Sequence, residues 1–360
     1  MKELIIIAII IFNAINGYAQ SFRVKELNQK AISNYRNKSL YLAEYNRYLS
    51  NAYSIEKELS IQYKKNSVED FTDLIQSALD KHNVVVLPNF PIVISDKGLA
   101  LNNNQVLLFQ TNSILKLKPS AKNSYSILSL TNISNVKIFF ANIEGDRYEH
   151  IGKGGQWGFG IGIKSSNNIY LYSPFIERTW GDGIYIGQLR NEPSENIYIY
   201  NSVINEVRRN GVSITSGRNI SILNTYIANT NGNSPESGID LEPNSINDII
   251  ENINIKNLTT FNNKWAGMLM VFEKFKSNRN KIVSVNIDGH KDVGSKNAIA
   301  FHGYRNDKSA NNLSGTINLK NTDYSTDSKR VFFYQTNLSR LNINTSDKNL
   351  KSRFNSFTKK

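Results

Sequence analysis

From about residue 84 onward, apolar and polar residues alternate in short runs, and the runs fall into two interleaved families. One opens on asparagine: Asn135-Val136-Lys137-Ile138, Asn168-Ile169-Tyr170-Leu171, Asn196-Ile197-Tyr198-Ile199, Asn219-Ile220-Ser221-Ile222 and Asn252-Ile253-Asn254-Ile255. The other opens on glycine: Gly160-Ile161-Gly162-Ile163, Gly183-Ile184-Tyr185-Ile186, Gly211-Val212-Ser213-Ile214, Gly238-Ile239-Asp240-Leu241 and Gly267-Met268-Leu269-Met270. Successive members lie 23 to 33 residues apart in both families. Two strand families sharing one period mean coils with at least two strands each. A propeller blade needs roughly 40 residues or more per repeat, and a β-sandwich holds no fixed period. Alternation turns Ile, Val, Leu and Met inward and the residues between them outward. Asn and Gly mark the bends, since both tolerate left-handed backbone angles. The pattern predicts an all-β parallel solenoid from about residue 84 to 345.

The earlier part of the chain reads differently. In residues 20–66, Leu40, Tyr41, Tyr45, Tyr48, Leu49, Ala52 and Leu59 recur at three- and four-residue steps, which predicts one or two amphipathic helices. These form a helical extension that packs on the main body or joins two copies of the chain. Next, Phe71, Leu74, Ile75, Ala78 and Leu79 keep helical spacing, with Ser67 and Asp70 resembling a capping box. A helix over 67–82 is suited to cover the first coil, whose edge and core otherwise face water. Val84-Val85-Val86-Leu87 follows as a strand closed by Pro88. At the start, Lys2 precedes an apolar run from Leu4 to Phe12, and Gly17-Tyr18-Ala19 offers small residues before Gln20. That order predicts a signal peptide over 1–19, cleaved near Ala19, and a secreted or periplasmic protein. The run is shorter than the ~20 residues of a membrane span, and no later segment could cross a bilayer.

Composition narrows the chemistry. The 360 residues hold no cysteine, which excludes disulfides, thiolate catalysis and thiolate metal sites. The formal charge of +13 suits an anionic glycan or a cell surface; an exported protein rarely meets nucleic acid. Part of this charge belongs to a basic tail over 346–360, with Lys348, Lys351, Arg353, Lys359 and Lys360 and no acid after Asp347.

The stretch from Phe71 to Asp80, followed by Val84 to Asn89, together with the repeats, is similar to the pectate-lyase-like superfamily of right-handed parallel β-helices. The resemblance covers residues 67–345 and implies a right-handed helix that acts on polysaccharides, many of them acidic. Its members include pectate lyases, polygalacturonases, alginate lyases, C5-epimerases and phage tailspike depolymerases. The paired-Asp and His-Gly motifs of polygalacturonases are absent from this chain. So is the Asp-Pro-His of mannuronan epimerases, although Gly238 to Pro243 occupies a comparable strand. The resemblance therefore implies a substrate class and leaves the reaction open.

Stacking the glycine-led strands in register gives two outward columns: Gly162, Tyr185, Ser213, Asp240, Leu269, and Lys164, Gly187, Thr215, Glu242, Val271. Ala300 and His302 continue them. Asp240 and Glu242 share a face with backbones roughly 6.5–7 Å apart. Paired carboxylates at that range divide acid and base work in glycoside hydrolysis, and repulsion raises one pKa. The alternatives are solvated strand residues, a salt bridge with Lys164 or an arginine, or a calcium site; no other cofactor is expected. Asp182, which could be catalytic, hold substrate or fix the bend through its own backbone as Asp between glycines commonly does, lies two coils from Asp240, roughly 10 Å along the axis, and Asn210 lies one coil from it. Trp157, Trp180 and Trp265 gather near one edge of this face, where rings can stack on sugars or cap the core. The loop Glu144 to Gly155 brings His150 and Arg147, and the corners bring Arg178 and the Arg208-Arg209 pair, as substrate clamps or as salt-bridged corner residues. His82 and His290 have no evident partners, and Gly152-Lys153-Gly154-Gly155 lacks the phosphate-loop spacing.

Three functions follow. Hydrolysis would use Asp240 and Glu242 with Asp182, and would seat substrate on Tyr185, Lys164, Trp180, Trp265, Asn210, Arg209, Arg178, Arg147 and His150. Elimination or C5-epimerisation of a uronic acid glycan needs a base and a cation beside the carboxylate, which Tyr185, Lys164, His150 and the arginines offer. A non-catalytic glycan-binding or surface solenoid is the third.

Overall fold

The computed structural model describes residues 22–275, 279–302, 312–324, 331–334 and 341–352, apart from 57, 60–68 and 349. It is a parallel β-solenoid of about eight turns. Residues 1–21, where a signal peptide is expected, Ser67 and most of the basic tail lie outside the described residues. No described helix is long and apolar enough to cross a membrane.

Each coil carries three strands, one more than the repeats revealed. The glycine-led strands stack into one nine-stranded sheet among the described residues, including Trp157–Lys164, Ile184–Gly187, Asn210–Ile214, Ser237–Leu241, Ala266–Val271 and Asn297–His302. The asparagine-led strands form a second face. The third is made of short strands such as Asn142–Glu144, Phe175–Glu177 and Val203–Asn205, which merge with the second face at Gly217–Ala228. Each short strand presents one fully buried isoleucine, Ile143, Ile176 or Ile204. Three residues are too few for a visible alternation, so this family leaves no period in the sequence.

The inward columns are as the alternation predicts: Ile161, Ile163, Ile184, Ile186, Val212, Ile214, Ile239 and Leu241 are fully buried. The leading asparagines do take left-handed angles, with φ of 60° at Asn135, 56° at Asn168, 54° at Asn196, 55° at Asn219 and 53° at Asn252. Their amides also form a ladder; Asn168 Nδ2 donates to Asn135 Oδ1 at 3.1 Å and Asn219 Nδ2 to Asn196 Oδ1 at 3.1 Å.

The leading glycines differ from expectation: Gly160, Gly183, Gly211, Gly238 and Gly267 do not have positive φ. They are required for space. A Cβ on Gly211 would stand 2.3 Å from Ile227 Cγ2 and 2.6 Å from Gly238 O, and one on Gly183 2.6 Å from Ile204 Cγ2. The short-strand isoleucines thus pack against the bare backbone of the glycine-led strands. Gly211→Ala is expected to cost about 1–3 kcal/mol through overpacking, measured by urea unfolding. Gly154→Ala, whose Cβ would meet nothing nearer than 3.5 Å, is the control and should be near neutral.

The N-terminal extension forms short helices, α1 (Gln29–Tyr35) and α2 (Leu42–Leu49), and runs back along the solenoid. Arg23 and Lys25 are held at the later coils, where Asn262 Nδ2 donates to Arg23 O at 3.0 Å and Asn229 Nδ2 to Lys25 O at 2.9 Å. Arg36 then donates to the carbonyls of Ser173, Phe140 and Ala141. Tyr41 packs on Tyr172 and Tyr45 on Phe140. Finally Tyr53–Ser54 pairs with Val85 and Val86 at the first coil's edge. Tyr41 and Tyr45 face the solenoid while Leu40, Leu42 and Leu49 are exposed, so the packed face is aromatic, unlike the mixed stripe the periodicity suggests. The capping helix α3 (Thr72–Lys81) begins later than residue 67, and Asp70 accepts the Thr72 N–H at 2.9 Å. It buries Ile75, Ala78 and Leu79.

Candidate active site

The outward column of the glycine-led sheet has the register read from the sequence. Gly162 lies opposite Tyr185, Tyr185 opposite Ser213, Ser213 opposite Asp240, Asp240 opposite Leu269, and Leu269 opposite Ala300. The corner between the short strands and this sheet carries two excursions, 145–156 and 229–236, and they flank one edge of the face. The turn after Leu241 flanks the other. Asp248 anchors that turn, accepting the N–H groups of Asn244 and Ser245 and the Gln188 side-chain amide at 2.8 Å. Sequence reasoning passed over Asp248; its signal was the Pro243-Asn244-Ser245 turn cluster, where an Asp shortly after commonly caps the backbone.

Five of the expected residues meet here. Asp182, fully buried, accepts Arg209 Nη1 at 3.1 Å and the Asn210 N–H at 3.1 Å. Arg209 Nη2 lies 3.7 Å from Glu242. Asn210 Nδ2 donates to Asp240 Oδ2 at 2.9 Å. Asp182 and Asp240, too distant for direct contact, are therefore joined through Arg209 and Asn210. The salt-bridge alternative for the pair is realised by Arg209; Lys164 takes no part in it.

Asp240 departs from the expected solvated strand residue. It is 1% exposed, whereas the Glu242 side chain is 35% exposed. Asp240 Oδ1 is buried and has no hydrogen-bond donor among the described residues. Burial pushes the Asp240 carboxyl well up, and the Glu242 charge adds to this against the pull of Arg209. Burial also raises Asp182, opposed by Arg209, the Ser213 hydroxyl and the Asn210 N–H. Arg209 itself is disfavoured by burial, but Asp182, Asp240 and Glu242 outweigh that and hold its pKa up. One cation serves three acids.

Tyr185 lies along the same face, its hydroxyl 2.9 Å from Thr215 Oγ1 and its ring 4.6 Å from Phe159. Burial raises its pKa. The Lys164 ammonium lies 5.6 Å from both ring centroids, and burial lowers its pKa. Among the described residues no carboxylate lies within ion-pair distance of Lys164. His302, two coils from Glu242, packs edge-on against Trp265, which also lies 4.6 Å from the Lys296 ammonium.

The other expected clamps are engaged elsewhere. Arg178 is salt-bridged to Glu144, Glu177 and Glu206, and lines a cavity of about 570 Å³ with Lys116 and Tyr148. Arg147 donates to Glu206 O and to Asn231 Oδ1 at 2.7 Å, bracing the corner in place of a free substrate clamp. His150 Nδ1 lies 2.8 Å from the buried Asp146, which also accepts Tyr125 Oη at 2.6 Å. The His150 ring stacks on Trp180 at 3.9 Å, with the Arg208 guanidinium 3.7 Å from the Trp180 ring. His150 and Trp180 are thus packed into a corner, while Trp157 is 47% exposed. His150 Nε2 is buried beside Gly152 without a hydrogen-bond partner among the described residues, while Arg147 is committed to Glu206 and Asn231. His290 does have partners: Thr260 Oγ1 at 2.9 Å and Tyr324 Oη at 3.0 Å. Burial lowers its pKa to about 3, so it stays neutral.

No protein family matches the chain. A 96-residue stretch is 30% identical to the SPbeta prophage-derived uncharacterized protein YorA of Bacillus subtilis (strain 168), covering 25% of this chain and 16% of that protein. Among solved structures, the N-terminal fragment of bacteriophage phi29 gene product 12 superposes with a TM-score of 0.57 at 16% identity, over 78% of this chain and 51% of that one. A 1,3-α-1,4-β-D-galactose-4-sulfate-3,6-anhydro-D-galactose-2-sulfate 4 galactohydrolase gives 0.52 at 12% identity, over 82% and 90%. The endo-xylogalacturonan hydrolase of Aspergillus tubingensis gives 0.52 at 12%, over 79% and 83%. The chain spans about half of the phage fragment and a sixth of the prophage protein. At these identities the structural likeness establishes the fold, that of the right-handed β-helix proteins.

Proposed function

We propose that this protein is an exported enzyme that hydrolyses glycosidic bonds of a polysaccharide on its glycine-led face. The observation that carries the reading is a fully buried carboxyl of raised pKa, Asp240, beside a carboxyl that reaches solvent, Glu242, under one shared guanidinium. Hydrolysis must deliver a proton to the leaving glycosidic oxygen and take one from water. Two carboxyls this close do not both ionise readily, so the pair is suited to hold one proton between its members.

Glu242 is the member that touches the sugar. As the C–O bond breaks, its electron pair goes to the glycosidic oxygen, which takes the proton from the pair. Water then bonds to the anomeric carbon and returns a proton to the pair. Arg209 stabilises the doubly ionised pair between these events, and Asp182 and Asn210 hold Arg209 and Asp240 in place. Tyr185 lies two coils from Asp240, roughly 10 Å along the axis, where it would contact a neighbouring sugar. Two proteins of like fold are named as hydrolases of a sulfated galactan and of xylogalacturonan, which supports the substrate class. Cleavage of residues 1–19 on export and a separate role for 20–66 belong to the same reading.

Lys164 favours a second reading, elimination on a uronic acid glycan, because an ammonium without a carboxylate partner can neutralise a substrate carboxylate. A panel of neutral, uronic and sulfated polysaccharides separates the two. New reducing ends without ultraviolet absorbance are expected. Unsaturated products absorbing in the ultraviolet would establish elimination, and binding without cleavage would establish a glycan-binding solenoid.

A further inference from the structure

Asn210 is buried, and all of its polar atoms are committed. Its Oδ1 accepts the Ser237 N–H at 3.0 Å, which fixes the amide orientation and turns Nδ2 toward Asp240. Nδ2 donates to Asp240 Oδ2 at 2.9 Å and to Ser213 Oγ at 3.1 Å. The backbone N–H of the same residue donates to Asp182. Asp240 therefore has one oxygen supplied with a donor and one, Oδ1, buried with none. The acidic group that bears on Asp240 from its own strand is the Glu242 carboxyl, two residues on and itself an acceptor. A buried acceptor facing another acceptor is costly unless a proton lies between them.

We infer that Asn210 is a positioning residue that sets where the proton of the pair resides: on Asp240 Oδ1, directed at Glu242. By occupying Oδ2, its amide leaves Oδ1 as the site for the hydroxyl hydrogen. The proton is then stored in the buried carboxyl and aimed at the exposed one, which hands it on. The charged groups facing Asp240 are Glu242 on its own strand and Asp182 and Arg209 from the neighbouring corners; the next coil presents the apolar Leu269. His302 acts only at longer range, through Glu242. The catalytic meaning of this placement rests on the reading of the pair as the proton-handling group, but the placement is measurable without any substrate.

The test is carboxyl-carbon NMR titration of the full chain labelled at Asp and Glu side chains. In the wild type, the Asp240 carboxyl carbon is expected to titrate above the ordinary carboxylate range. Asn210→Asp keeps the acceptor for the Ser237 N–H but replaces the donor to Asp240 by an acceptor. The Asp240 proton should then turn to Oδ2, toward residue 210, and the Asp240 midpoint should rise further, because a second carboxylate faces it. Glu242→Gln, at a half-exposed position where folding is not at risk, should lower the Asp240 midpoint by at least about one unit, the size of a close charge–charge effect. An Asp240 midpoint in the ordinary carboxylate range, or one unmoved by Glu242→Gln or by Asn210→Asp, would overturn the inference. A raised Asp240 midpoint that responds to both variants, with no glycan cleaved, would instead overturn the hydrolase reading and leave the proton placement standing.

Discussion

Asp240→Asn is expected to lower glycan cleavage by about 10²–10⁴-fold, the usual worth of a positioned acid–base group, while leaving the protein as stable as the wild type or more stable near neutral pH. The two effects have one cause. The folded-state pKa of Asp240 is raised above its ordinary 3.8 by burial and by Glu242. A group raised in this way gives its full contribution to stability below the unfolded-state value and loses it as pH rises through the folded value. At neutral pH the wild type therefore carries a buried carboxyl that opposes folding. The amide has the same shape and no charge: its oxygen can accept the Asn210 donor, and its nitrogen can donate to Glu242. Melting curves between pH 4 and 8 should show the gain of the variant growing with pH. A residue kept for structure alone would behave in the opposite way, so a neutral-pH loss above about 1 kcal/mol, the worth of one ordinary hydrogen bond, would count against the catalytic reading. Such stability withheld at a site is the common signature of function.

Arg209→Met should produce the largest stability loss at this face, about 3–5 kcal/mol, because it strips a buried carboxylate of its partner. Asp182 is fully buried, and the guanidinium at 3.1 Å is its one cation among the described residues. The Asn210 N–H and the Ser213 hydroxyl remain, but they do not neutralise the charge. The variant should regain stability relative to wild type as the medium is acidified and Asp182 takes up a proton. Adding Asp182→Asn should restore most of the loss at neutral pH, giving a large coupling energy in a double-mutant cycle. Guanidinium unfolding of the four proteins at pH 7 and pH 5 measures this. A single-variant loss below about 1 kcal/mol would place the ion pair with ordinary surface pairs.

The residues differ in how readable they were. The outward order Gly162, Tyr185, Ser213, Asp240, Leu269 was legible because alternation has a period of two and parallel stacking preserves it. Asn135 and its counterparts announced their left-handed corners, since few other residues take that angle readily. Gly183 and Gly211 were visible as repeats, but their role was not. The atoms that exclude a Cβ come from Ile204, in a three-residue strand, and from Ile227, beyond the patterned part of Gly217–Ala228. Arg209 was readable as a corner cation; that it bridges Asp182 and Glu242 was not. His150 and Arg147 looked available because a glycine-rich loop dense in titratable groups resembles an open one. Asp146 and Asn231, which engage them, sit on excursions whose path no repeat predicts.

By itself the sequence determined the coil repeat, the inward set of Ile, Val, Leu and Met, and the stacking of one coil on the next, because all three follow from local periodicity. Only the tertiary structure decided that Asp182 and Asp240 are withdrawn from water, that Asn210 stands between them, and that residues 23–54 run back across the coils to the first edge. Those outcomes depend on corner segments from different coils packing against one another. The burial of a side chain, and with it the charge it can hold, is set by neighbours distant in the chain.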